Sequence, residues 1–264
     1  MPRYALTISY DGTRFCGWQR QSNGLSVQEV LGEAVAPLCA PNPVRLEASG
    51  RTDAGVHAHG QVAHFDMERA ISPGQLRRAL NGELPPDIQV LHACVAPTDF
   101  HARKSVRVKE YRYTIWNAEV MPPTERLYAA HVRTPLDLTA LRDAAGRFVG
   151  RHDFASFCAN PHRKIANTVR TVFSCEVVIA SVPAKQPSLN PIEATQRPHP
   201  RITLIVRGEG FLYKMVRSIA GFLIAVGTGK EEPSAVDELL AERQRTARVE
   251  TAPACGLTLW HVEY

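Results

Sequence analysis

The chain has 264 residues, 44% of them hydrophobic and 22% charged, which is ordinary for a globular protein with an ample core. Its formal net charge of +5 and pI near 9.0 permit a nucleic-acid partner without pointing to one. Because no run of about 18 apolar residues is present, the sequence predicts no membrane span. The six scattered cysteines form no C-x-x-C pair, so we expect reduced thiols in a cytoplasmic protein rather than disulfides or zinc ligands.

Apolar periodicity and helix-capping signals predict six elements in the first part of the chain. A Ser26-x-x-Glu29 capping box and a Ser72-Pro73 pair mark the two helix starts. The elements are strand 3–10, helix 27–38, strand 44–48, strand 61–66, a helix from Pro73 and strand 88–95. The order β-α-β-β-α-β is that of a ferredoxin-like unit, which we assign to residues 1–105.

The remainder of the chain repeats this order and is assigned to a second unit, residues 106–264. Its elements are strand 106–117, a helix from Leu138 to Phe148, strands 169–179 and 202–206, a helix from Leu212 to Val226, a helix at about 235–243, and strand 257–264. We therefore predict an α+β fold of two ferredoxin-like units side by side, with an active-site cleft between them. A proline-rich insertion at about 181–200 is interpreted as a flexible excursion.

Glycines and reactive side chains are concentrated in the stretch Ser49–Val62. It contains three glycines, the Asp53 carboxylate, the Arg51 guanidinium and the imidazoles of His57 and His59. Glycines disfavour a regular element and permit close approach to a ligand, while the flanking strands would hold both ends of such a loop. We interpret it as the candidate active site, with a solvated surface turn as the alternative.

Three further features each allow two interpretations. His57, His59 and His64 have no carboxylate or cysteine to complete a metal motif, so we predict no metal site. Arg217, in an otherwise apolar helix, is either a rim residue whose charge reaches solvent or a cation that pairs with a carboxylate. Tyr111 shares one strand face with Tyr113 and Ile115, as a core aromatic or as a site residue.

Several blocks of the chain, taken in order, resemble the signature of one known family. The most specific is the nine-residue block from Gly50 to Ala58, which contains Asp53. Other matching blocks follow in order: Tyr10-Asp11-Gly12, Gly17-Trp18-Gln19-Arg20-Gln21, Asp99-Phe100-His101-Ala102-Arg103, Tyr111-Arg112-Tyr113, Lys214-Met215-Val216-Arg217 and Gly256-Leu257. Together these blocks resemble the tRNA pseudouridine synthase A family. The resemblance covers nearly the whole chain and departs from the family at 181–200, which is longer than usual.

The resemblance implies isomerisation of uridine to pseudouridine in the tRNA anticodon stem-loop, at positions 38, 39 and 40, without metal or organic cofactor. It implies that Asp53 is the catalytic carboxylate, Arg217 its basic partner and Tyr111 the tyrosine that contacts the uracil. Arg51 matches the arginine that helps hold the flipped-out nucleotide. The remaining expected substrate contacts, all in or beside matching blocks, are Arg20, His57, His64 and Lys214.

The partners implied are tRNA and a second copy of the chain in a homodimer, with no membrane. Two alternatives to an isomerase remain. A catalytically inactive tRNA-binding protein or chaperone of the same fold would not need Asp53. A hydrolase with paired carboxylates would need a second one, and the next, Asp66, lies on a predicted strand beyond the loop.

Overall fold

The computed structural model describes residues 1–159, 167–179 and 201–264. The strands in these ranges are β1 (Arg3–Tyr10), β2 (Glu47–Ala48), β3 (His57–Asp66), β4 (Ile88–Ala96), β5 (Val108–Trp116), β6 (Ala130–His131), β7 (Gly150–Asp153), β8 (Val169–Ile179), β9 (Arg201–Gly208) and β10 (Leu257–Glu263). The α-helices there are α1 (Val27–Cys39), α2 (Pro73–Glu83), α3 (Leu138–Arg147), α4 (Met215–Gly227) and α5 (Ala235–Glu242). The proline-rich stretch predicted at 181–200 lies outside the described residues.

The chain divides into two compact units. Unit 1 contains residues 1–109 and 258–264, and unit 2 contains residues 110–257. The last strand therefore belongs mostly to unit 1, whereas the sequence analysis assigned it to the second half. Its partner is β3, with which it pairs in parallel through Thr258 opposite His57. This pairing joins distant parts of the chain, so chain order alone does not indicate it.

Unit 1 is built on a sheet in which β1 lies between β3 and β4. Both pairs are antiparallel, and the short β2 also pairs antiparallel with β3. Helices α1 and α2 begin where the sequence predicts: the Ser26 hydroxyl accepts from the Glu29 N–H, and Ser72 forms a capping box with Gln75. The inner faces of the two helices are fully buried at Val27, Leu31, Val35, Leu76 and Leu80.

Unit 2 contains a sheet with the strand order β5-β9-β8-β7, and β6 pairs in parallel with β5. Strands β8 and β9, and β7 and β8, are antiparallel. Aromatic side chains from three segments form part of its core: the rings of Phe148, Phe154 and Phe222 each pack against Phe157. The predicted α+β class is therefore confirmed, with a mostly antiparallel arrangement of strands.

The loop between β2 and β3 is shorter in the structure than the sequence predicts. The structure extends β3 back to His57, so that residues 49–56 alone form the connection and His59 lies in the strand. Gly60 was interpreted as a loop glycine, but it lies within β3. A Cβ atom there would stand 2.7 Å from the Trp260 carbonyl oxygen. The glycine thus permits close approach of another strand rather than a turn. In the described ranges, no helix is long and apolar enough to cross a membrane.

Candidate active site

Residues 49–56, called the 49–56 loop below, are held to β3 at their first two residues. The Ser49 N–H donates to the Val62 carbonyl oxygen at 2.8 Å, and the Ser49 hydroxyl donates to Gln61 Oε1 at 2.6 Å. Gln61 Nε2 in turn donates to the Gly50 carbonyl oxygen at 3.0 Å. Ser49 and Gln61 are both completely buried, so one glutamine side chain satisfies polar groups that water cannot reach.

The second half of the loop rests on the segment that follows β1. The Trp18 N–H donates to the Thr52 carbonyl oxygen at 3.1 Å. Gly17 has a φ of +96°, and a Cβ atom on it would lie 2.5 Å from that same oxygen. A Cβ atom on Gly12 would lie 2.0 Å from the Val56 carbonyl oxygen. Both glycines therefore permit a backbone-to-backbone contact that no other residue allows.

Asp53 lies in a tight turn that begins at the buried Thr52 and ends at the buried Val56. The Val56 N–H donates to the Asp53 carbonyl oxygen at 3.1 Å, and Gly55 has a φ of +75°. Thr52 is buried, with its hydroxyl 2.8 Å from the Tyr10 hydroxyl, whereas Asp53 is only partly buried. Burial raises the pKa of Tyr10 to about 12, which keeps it a neutral phenol. The loop thus holds one carboxylate, accessible in part, on a supported backbone.

His57 is buried beneath the segment after β1. Its Nδ1 accepts a hydrogen bond from the Gly12 N–H at 3.1 Å, and Asp11 Oδ1 lies 3.2 Å from the same nitrogen. The imidazole therefore supports the backbone beside the 49–56 loop. Contact between His57 and the substrate remains a prediction.

His64 lies farther along β3 in a different environment. Its Nδ1 accepts from the Ala102 N–H at 3.2 Å, and its ring packs edge-on against Phe100. Burial, together with the charges of Arg3 and His101, lowers the pKa of His64 below its usual 6.5. The side chain therefore anchors the segment around residue 102, and its predicted substrate contact also stays a prediction.

A polar cavity of about 230 Å³ adjoins the loop. Its walls include the side chains of Arg51 and Arg103, and Arg103 Nη2 lies 3.3 Å from Glu47 Oε2. The predicted substrate contact Arg20 lines a separate, open depression instead, where its Nε lies 3.4 Å from Glu29 Oε1. Two of the predicted cationic contacts thus lie in different recesses of unit 1.

Sequence reasoning missed Lys109 and the role of Gln61. Lys109 Nζ donates to the Ser49 carbonyl oxygen at 2.7 Å. Burial, with the nearby charge of Arg103, lowers the pKa of Lys109 to about 8. The strand alternation that groups Tyr111 with Tyr113 extends back to Lys109 and was the available signal. The sequence contains no comparable signal for Gln61, because its role in holding the loop depends on its burial in the folded protein.

The other predicted site residues lie in unit 2. Tyr111 is buried on β5, with its ring edge-on to Phe211 at 5.3 Å between centroids. Arg217, partly buried on α4, donates from Nε to the Ala252 carbonyl oxygen at 2.8 Å. Lys214 precedes α4 in a left-handed conformation, with a φ of 57°. Asp53 belongs to unit 1, so it remains a prediction that these three residues act together with Asp53.

Among the described residues, no group of three or more histidine, cysteine, aspartate or glutamate side chains is arranged to hold a metal ion. The Nδ1 atoms of His57 and His64 already accept backbone hydrogen bonds. The chemistry available in the 49–56 loop is therefore that of a carboxylate with guanidinium groups nearby.

The chain is similar in sequence to proteins of a known family. A family model described as tRNA pseudouridine synthase matches residues 6–103 and 144–264. The chain is 45% identical over 259 residues to a tRNA pseudouridine synthase A from Syntrophotalea carbinolica, an alignment that covers 98% of this chain and 95% of that protein. A protein of the same name from Pelobacter propionicus is 46% identical over 259 residues, with 98% of each chain covered. Another, from Shouchella clausii, is 40% identical over 264 residues, with 100% of this chain and 94% of that protein covered. The resemblance predicted from the sequence is confirmed, and the chain belongs to the tRNA pseudouridine synthase family.

Proposed function

We propose that this protein isomerises uridine to pseudouridine at positions 38, 39 and 40 of the tRNA anticodon stem-loop, with Asp53 as the essential carboxylate. Membership of the family supports the reaction. The observation that carries the role of Asp53 is the construction of the 49–56 loop: buried hydrogen bonds hold Ser49 and Thr52, while Asp53, directly after the buried Thr52, keeps partial access to solvent. Active sites are commonly arranged in this way, with a reactive group on a well-supported backbone.

The proposed reaction breaks the N1–C1′ bond of uridine, turns the uracil and forms a C5–C1′ bond, while C5 loses a proton and N1 gains one. Because atoms and electrons balance within the nucleotide, the reaction needs no oxidant or reductant, and the family resemblance implies no metal or organic cofactor. Asp53 acts by attack on C1′, by attack on the base, or by support of a route that begins with deprotonation at C2′. Attack on C1′ would parallel the covalent intermediate of retaining glycosidases.

The target base must leave its stack before a protein group reaches it, at a cost of a few kcal/mol. We assign Arg51 to the flipped-out nucleotide, since a guanidinium stacks on bases and binds phosphate in bidentate fashion. Its exposure and its place in the wall of the polar cavity support this role. Arg20, His57, His64 and Lys214 are proposed as further contacts with the tRNA.

Tyr111 and Arg217 are proposed to act with Asp53 on one uridine. In this arrangement Arg217 pairs with the carboxylate, and Tyr111 packs on the uracil and takes part in proton transfer at C5. A cation beside a partly buried carboxylate offsets the cost of removing it from water. The assignment rests on the family resemblance of the two blocks that contain these residues.

We also propose the finer features of the molecule that accompany this function. The β-α-β-β-α-β order of β1 to β4 in unit 1 supports a ferredoxin-like unit, with a second such unit in the other half of the chain. The protein is proposed to act in the cytoplasm as a homodimer on one tRNA. Two chains, each with a net charge of +5, would double the attraction for the phosphate backbone.

Tritium release from tRNA that contains C5-tritiated uridine tests the reaction, because isomerisation exchanges the C5 hydrogen. We expect release by the wild type, loss of release when positions 38, 39 and 40 carry cytidine, and no release by Asp53→Asn with unchanged tRNA affinity. Glu68→Gln is the matched control, since Glu68 is exposed outside the loop. Wild-type protein that binds tRNA without releasing tritium would be the inactive tRNA-binding protein instead.

A further inference from the structure

Lys109 contacts the start of the 49–56 loop in unit 1 from a distant part of the sequence. Its ammonium group donates to the Ser49 carbonyl oxygen at 2.7 Å, although the two residues are 60 positions apart in the sequence. We propose that Lys109 is a positioning residue, which fixes the backbone from Ser49 to Arg51 and so keeps Asp53 in its active geometry. This inference rests on the proposed role of Asp53.

The peptide groups on both sides of Gly50 are held by different side chains. Lys109 binds the carbonyl oxygen before Gly50, and Gln61 binds the carbonyl oxygen after it, at 3.0 Å. Ser49 is completely buried, so loss of Lys109 leaves its carbonyl without this donor where water does not readily replace it. The peptide plane then rotates more freely, and the displacement passes along the chain toward Asp53.

Gly50 and Lys109 act as a pair. A Cβ atom on Gly50 would lie 2.8 Å from Lys109 Nζ, too close for both to keep their positions. Because the lysine end is flexible, an alanine at position 50 would displace the ammonium group from Ser49 rather than unfold the loop. Gly50→Ala is therefore a second, independent way to break the same hydrogen bond.

The ammonium group is costly to bury. Within the described chain, the ion pairs observed do not include Lys109, and the charge of Arg103 repels its ammonium group. Burial and this repulsion lower its pKa to about 8. An apolar side chain of similar length would fill the same space without that cost. A purely structural requirement for packing therefore does not explain a lysine here, whereas a requirement for a donor to Ser49 does.

This reasoning separates stability from activity in Lys109→Met. Removal of the costly buried ammonium group offsets the loss of the donor to Ser49, so we expect a free energy of unfolding close to that of the wild type. We expect a kcat lowered by about tenfold to a hundredfold and a tRNA Kd within about threefold. Small displacements of a catalytic group have rate effects of that order. Lys109→Arg keeps a donor and is expected to recover part of the lost kcat. Lys104→Met removes the same charge from an exposed position nearby and is the matched control.

A double-mutant cycle completes the experiment. Gly50→Ala alone should lower kcat, and adding it to Lys109→Met should have little further effect, because the hydrogen bond is already absent. Gly82→Ala, where a Cβ atom meets open space in α2, controls for the glycine replacement. The proposal would be overturned if the two substitutions lowered kcat by independent factors that multiply in the double variant. It would also be overturned if the substitutions changed only KM or only stability. A wild-type enzyme without tritium release, or an active Asp53→Asn variant, would instead refute the proposed function.

Discussion

The Tyr10 and Thr52 hydroxyl groups lie 2.8 Å apart in the interior of unit 1. Thr52 immediately precedes Asp53 in the chain. This hydrogen bond connects the end of β1 to the 49–56 loop, and both side chains are buried. Because the phenol of Tyr10 has a pKa of about 12, it remains protonated throughout the range in which the enzyme is expected to work. The bond therefore supports Asp53 without taking part in proton transfer.

Tyr10→Phe should leave the Thr52 hydroxyl buried without this partner. We expect a loss of about 1–3 kcal/mol in the free energy of unfolding, the usual cost of an unsatisfied buried polar group. The kcat for tritium release should fall severalfold, since Thr52 directly precedes Asp53. Tyr4→Phe is the matched control, because Tyr4 is also buried on β1 but bonds to the Ile71 carbonyl, away from the loop. Equal effects of the two variants on kcat would disprove the link to Asp53.

Gly12→Ala should displace the 49–56 loop. The added Cβ atom would stand 2.0 Å from the Val56 carbonyl oxygen, which is backbone and cannot turn aside as a side chain does. Such overpacking costs on the order of 1–3 kcal/mol of stability, and we expect kcat to fall by more than tenfold. Chemical denaturation and tritium release measure the two effects. Gly82→Ala again serves as the control, and a Gly12→Ala variant with normal kcat would mean that the loop tolerates this displacement.

Arg51→Gln should weaken tRNA binding and reduce its dependence on salt. If the guanidinium contacts a phosphate, the slope of log K against log salt decreases by about one on its removal. Fluorescence anisotropy with labelled tRNA over a series of salt concentrations measures this slope. Arg78→Gln removes the same charge from an exposed position of α2 and should leave the slope nearer to that of the wild type. An unchanged slope in Arg51→Gln would place the residue on the base rather than on phosphate.

Helices with local signals were well predicted from the sequence. The starts of α1 and α2 follow directly from Ser26 and Ser72, whose hydroxyl groups bond to backbone groups within the next turn. Such contacts join residues a few positions apart, so a short stretch of sequence contains all of the required information. The candidate loop was found for the same reason, since Arg51 and Asp53 are surrounded by glycines.

What supports the loop was not predictable in this way. Gly60 stands in β3 because the Trp260 carbonyl approaches it, and Ser49 is bound by Lys109 from 60 residues away. Partners so distant in sequence leave no local pattern. Gln61 likewise appears polar in the sequence, and only the fold shows that it is completely buried. Local composition thus points to the candidate carboxylate, while tertiary contacts determine its geometry.

His64 should make stability depend on pH below neutrality. Its pKa is lower in the folded state than the usual 6.5, because burial and the charges of Arg3 and His101 disfavour the charged form. The unfolded chain therefore binds more protons, and the free energy of unfolding falls as pH decreases from 6.5 through the folded-state pKa. Urea denaturation of His64→Gln should show a weaker decrease than the wild type. His92→Gln, at an exposed position of β4, should retain the full decrease; a profile for His64→Gln that coincides with the wild type would contradict the assignment.

Arg217→Leu should abolish most of the activity while tRNA binding remains. If Arg217 pairs with Asp53 as proposed, its loss leaves the partly buried carboxylate without its cation, a penalty of up to about 3–5 kcal/mol once bound substrate excludes water. That corresponds to a decrease in kcat of roughly a hundredfold to several thousandfold. Arg217→Lys separates charge from geometry: it keeps the cation but loses the donation from Nε to the Ala252 carbonyl oxygen. We expect Arg217→Lys to lie between the wild type and Arg217→Leu, and Arg142→Leu, at an exposed position of α3, to retain full activity. Near wild-type turnover in Arg217→Leu would make the arginine a rim residue of α4 with no part in the reaction.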